Sequence, residues 1–96
     1  SNMDTTNIKT AAEALSGLYA KGIGGKSSGR YRIAQKLVRD LMGQRRLYPE
    51  DVQALTREML EQGFVLIDMD GFFVVMGTNS FVNYRRANAD ALAPAG

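Results

Sequence analysis

Apolar residues recur at three- and four-residue steps from Ile8 through Ala11, Ala12, Leu15, Leu18 and Tyr19, which predicts a first helix over residues 4–20. Thr10 and Glu13 have capping-box spacing and mark a candidate first turn. Residues 21–29 lose the period and are rich in Gly and Ser, the composition of a flexible connector. Over residues 30–42, Ile33, Ala34, Leu37, Val38, Leu41 and Met42 share one broad face while Arg32, Lys36 and Arg39 line the other. That pattern predicts an amphipathic second helix, ended by Gly43 in a left-handed conformation, after which Gln44, Arg45, Arg46 and Leu47 turn the chain. Pro49 wastes no amide at a first helical position, and Glu50 and Asp51 favour the positive helix end. A third helix is therefore expected over residues 49–62, closed by Gly63, with Val52, Leu55, Met59 and Leu60 facing inward.

Two apolar runs, residues 64–69 and 72–76, flank Asp70-Gly71, a dipeptide that accepts the positive backbone angles of a tight hairpin turn. Side chains alternate along a strand, so Phe64, Val65, Leu66 and Ile67 cannot all enter one core. Both faces of the ribbon are apolar, and something must cover the second. The first helix, a returning strand at Phe81, Val82 and Tyr84, or a second copy of the chain would serve, and the last of these predicts a homodimer. Met42, Met59, Met69 and Met76 fall on apolar faces, where thioethers fill gaps in a core. Beyond Arg86 no pattern remains.

The 96 residues, 45% hydrophobic and 23% charged, suit one small globular domain. Its expected extent is residues 4–86, after a start at 1–3 that resembles a tag remnant and before a flexible tail at 87–96. The chain has neither Cys nor His. Disulfides, thiolate nucleophiles, imidazole bases and the commonest transition-metal ligands are thereby excluded, and no enzyme, cofactor or metal is expected. No apolar run reaches the roughly 20 residues of a membrane span, and no signal peptide is evident, so the expected location is the cytoplasm without membrane contact.

Charge is divided along the chain. The formal net charge is +2, yet residues 21–46 carry eight basic residues and one acid, a net +7, while residues 50–70 carry six acids and one base, a net −5. A dense basic segment attracts polyanions and gains from counterion release on a duplex. The candidate phosphate contacts are Arg30, Arg32, Lys36, Arg39, Arg45 and Arg46, joined by Arg85 and Arg86 beside Tyr84.

The order helix, helix, two-stranded ribbon over residues 30–76 resembles the winged helix-turn-helix superfamily in pattern. The resemblance implies an α+β fold, three helices followed by a β-hairpin, and a regulatory protein that binds double-stranded DNA. It also implies that the later helix, residues 49–62, enters the major groove and that the wing tip, residues 68–71, touches flanking backbone. On this chain both are acidic: the helix would expose Glu50, Gln53, Arg57, Glu58 and Glu61, and the tip carries Asp68 and Asp70. Like charge against phosphate is unfavourable, so contact is expected through the second helix, the Arg45-Arg46 turn or Arg85-Arg86 instead. The rival expectation is an adaptor or dimerisation module that binds protein through the two-faced ribbon and the acidic helix.

Other motifs fail on spacing. Gly25-Lys26-Ser27 has the end of a P-loop, but Ala20 stands where its first glycine belongs and no strand precedes it. Gly22, Gly24 and Gly25 fail as a dinucleotide fingerprint because Ser27 replaces the last glycine. Asp68 and Asp70 flank a turn and have no third ligand or relay partner nearby.

Overall fold

A computed structural model describes residues 5–22 and 29–94; the expected Gly/Ser connector, with Lys26 and the Gly25-Lys26-Ser27 motif, lies largely outside them. The elements run α1 (Thr5–Lys21), β1 (Tyr31–Ala34), α2 (Gln35–Leu41), α3 (Pro49–Glu61), β2 (Phe64–Asp68) and β3 (Phe72–Gly77). Three helices and a three-stranded antiparallel sheet of order β1-β3-β2 make an α+β fold.

The hairpin forms where Asp70-Gly71 places it. Asp70 adopts φ 76°, and its amide donates to Asp68 Oδ1 at 2.8 Å, which fixes the turn locally. Leu66 then pairs with Val75 and Ile67 with Val74. Pro49 opens α3, with Glu50 and Asp51 in the first turn. Gly43, at φ 66°, closes α2: its amide reaches Asp40 O and that of Gln44 reaches Arg39 O, the paired bonds of a Schellman ending.

The third strand corrects the expected second helix. Residues 31–34 are extended and pair with β3 in the register Tyr31–Val75 and Ile33–Phe73, and the helix begins only at Gln35. Tyr31 and Ile33 point to one side and Arg32 and Ala34 to the other, a period of two that sits unnoticed inside the helical spacing. Tyr31 Oη donates to Leu15 O, tying the strand to α1. A strand here also satisfies the free edge of β3, which a helix would leave without backbone partners.

The shorter α2 buries a narrower face than the pattern predicts. Val38 and Met42 are enclosed, whereas Leu37 is 52% and Leu41 39% exposed, and Ala34 is exposed as well. In α3 the inward positions are Asp51, Leu55 and Met59, one turn apart; Val52 is half-buried, and Leu60, rotated away from that line, is 49% exposed. Thr10 lies inside α1, where its hydroxyl bonds back to Thr6 O at 2.8 Å, so it caps nothing.

The core lies between one face of the sheet and the helices: Ala11, Ala12 and Leu15 of α1 and Leu55 and Met59 of α3 cluster with Ile33, Leu66, Phe73 and Val75. Tyr19 meets Phe64 edge to face at 5.1 Å and crowds Gly77, where a Cβ would lie 3.1 Å from its hydroxyl. α1 therefore covers the face that is already the core. By the register, Arg32, Ala34, Val65, Ile67, Phe72, Val74 and Met76 share the opposite face, where the five large apolar side chains are half-buried. Residues 78–84 form no returning strand; Thr78–Phe81 is a 3-10 turn, and Phe81 packs against Tyr84 at 5.3 Å. Met69 is 50% exposed, and among the described methionines only Met42 and Met59 are fully enclosed. The segment 87–94, expected to be patternless, is exposed and holds a 3-10 turn at Asp90–Leu92. No helix among the described residues is long and apolar enough to cross a membrane.

Candidate nucleic-acid interface

The candidate cations fall in three local settings. Arg30 enters β1 and is exposed, and Arg32 projects from the sheet's outer face with its guanidinium 5.7 Å from the centre of the Phe72 ring. Cation–π contact holds that head group against an apolar surface while leaving its charge accessible. Lys36 is exposed on α2.

The α2–α3 turn is the second setting. Arg39 is half-buried, its Nη1 donating to Arg45 O at 3.2 Å while its Nε is enclosed without a hydrogen-bond partner. This bond folds the turn back along α2 and brings the Arg39 head group to the backbone of Arg45. Arg45 and Arg46 are both exposed there. The Gly43 ending makes this possible, because it redirects the chain within two residues of the helix.

Arg85 and Arg86 form the third setting, apart in sequence, in the exposed segment after β3. With Asn83, Tyr84, Ala87 and Ala91 they line an open depression of about 730 Å³. No described contact joins them to the α2–α3 turn, where Arg39 bonds the backbone of Arg45.

The acids lie on other elements. Glu50 and Glu61 are exposed on α3, as is Arg57, and Glu58 is half-buried; Asp68 and Asp70 are exposed at the hairpin. The Glu50 carboxyl is held below its ordinary range, chiefly by a hydrogen bond from its own backbone amide. A groove of about 310 Å³ between Gln35, Leu47, Pro49, Val52, Gln53 and Asp68 lies where α3 meets the hairpin. Asp51 is 3% exposed, a core position that its acidic side chain hides in the sequence and that only its four-residue spacing to Leu55 and Met59 signals.

Among the described residues no cluster of three or more His, Cys, Asp or Glu side chains could hold a metal ion. No family model, curated protein or solved structure matches the chain.

Proposed function

We propose that this chain is a winged-helix-like protein that binds double-stranded nucleic acid through phosphate, using the β1–α2–turn surface rather than the third helix. The observation that carries this reading is the basic segment itself: of its cations in the described region, Arg30, Arg32, Lys36, Arg45 and Arg46 are all exposed, and Arg39 bonds the turn that presents the last two. A helix pair joined by the 42–48 turn and followed by a hairpin supports the winged-helix part of the proposal. The acidic exposure of α3 and the wing tip argues against the usual groove docking, because each carboxylate would face phosphate. Arg85 and Arg86 add a flanking contact.

The test is fluorescence anisotropy of a labelled random-sequence duplex over a salt series, beside an unrelated protein of equal charge. Engagement of five or six phosphates gives a slope of log K against log salt of about −5. Absence of binding at low salt, or a slope no steeper than the control's, refutes the proposal. It would favour the second reading, a protein-interaction module, for which the observation is the acidic α3 with Leu60 half exposed beside Glu61.

A further inference from the structure

Leu18 of α1, Ile33 of β1 and Leu37 and Leu41 of α2 line an apolar groove of about 340 Å³, with Asp40 on its rim. Leu37 and Leu41 are the two α2 leucines that the core leaves out, at 52% and 39% exposure. They stand one turn apart and form a continuous ridge beside the groove. A ridge next to a groove of the same chemistry is self-complementary.

The charges bordering it are self-complementary too. Lys36 and Asp40 lie one turn apart on α2, both exposed, just outside the leucine ridge. Asp40 is the one acid in the net +7 segment. An interface between identical copies related by a two-fold axis brings residue i against j and j against i, so it needs both signs on one patch. Antiparallel packing of α2 on its copy sets Lys36 beside the partner's Asp40, and Asp40 beside the partner's Lys36, over a shared seam of Leu37 and Leu41. We infer that this groove is the homodimer interface, its occupant the α2 ridge of a second copy of the chain.

The other apolar surface fits a second copy less well. On the outer sheet face the register places one charged group, Arg32, held over Phe72 with no acid among the paired residues of that face to answer it. Of the phosphate surface, only Lys36 is engaged in the pairing. At 100° per residue, Arg39 projects about 160° from Leu41 and Leu37, on the far flank of α2 with the Arg45-Arg46 turn. Lys36 then serves the dimer, and the arginines keep the phosphate role. The inference does not depend on nucleic-acid binding.

Sedimentation velocity of the full chain, without nucleic acid, tests it. The wild type is expected to shift with concentration from 10.5 kDa to twice that mass. L37E/L41E should remain monomeric with an unchanged circular-dichroism spectrum, because both positions face solvent in the monomer. Lys36→Asp and Asp40→Lys should each weaken association about tenfold by opposing like charges twice across the axis, and the double exchange should restore it. A wild type monomeric at high micromolar concentration overturns the inference. So does a dimer that survives L37E/L41E, including one that Val74→Glu dissociates, which would place the second copy on the sheet. A double exchange no tighter than the single ones overturns the antiparallel register and the interface with it.

Discussion

Replacing Tyr31 by Phe removes one oxygen from the joint between β1 and α1. The phenol donates to Leu15 O, and partial burial pushes its pKa from 10.0 up to about 12. Burial disfavours the charged phenolate, so the folded state keeps its proton where the unfolded chain has released it. The raised folded pKa contributes stability that is complete below pH 10 and is lost as pH rises toward 12. Two pKa units correspond to roughly 2.7 kcal/mol, which solvent screening of a half-exposed ring reduces to about 1 kcal/mol. At neutral pH the lost hydrogen bond should also cost about 1 kcal/mol, a fall in Tm of roughly 4–8 °C for a domain of this size. Thermal unfolding followed by circular dichroism at intervals from pH 7 to 12 reads both effects. Y31F should start lower and decline less steeply above pH 10. Equal slopes, or an unchanged Tm at pH 7, would refute the role given to this bond.

Three further outcomes follow from the same geometry. Arg45→Ala with Arg46→Ala should weaken binding to all duplexes alike and make the salt slope shallower by about 2, read by anisotropy. Phe73, enclosed on the middle strand β3 opposite Ile33, should cost about 3–5 kcal/mol on truncation to Ala, enough to leave much of so small a domain unfolded in a urea titration. Asp70→Val, a branched side chain forced to φ 76°, should lose about 1–2 kcal/mol in the same titration, whereas Asp70→Gly should retain wild-type stability to within about 1 kcal/mol.

The parts legible from sequence were those governed by local chemistry. Asp70-Gly71 and Pro49-Glu50-Asp51 act through backbone angles and helix-end charge, which need no distant partner, and the hairpin and α3 form where they indicate. Tyr31–Ala34 reads as helix in the sequence because four residues can satisfy a period of 2 and of 3.6 together; the edge of β3, some forty residues later, decides for the strand. Leu37, Leu41 and Leu60 were placed in the core because the pattern gives a helix its apolar side without giving the width of surface available to receive it. The cations were visible as a count. Their grouping was not, since surface charges obey no packing period, and the bond from Arg39 to Arg45 O depends on how Gly43 turns the chain.

The most direct test of the central claim is an amide chemical-shift titration of the isotopically labelled protein with a short duplex at low salt. The account predicts perturbations concentrated in residues 30–46, strongest around Arg39, Arg45 and Arg46, with smaller ones at Arg85 and Arg86. Perturbations centred instead on α3 and the hairpin tip, or none at saturating duplex, would contradict it.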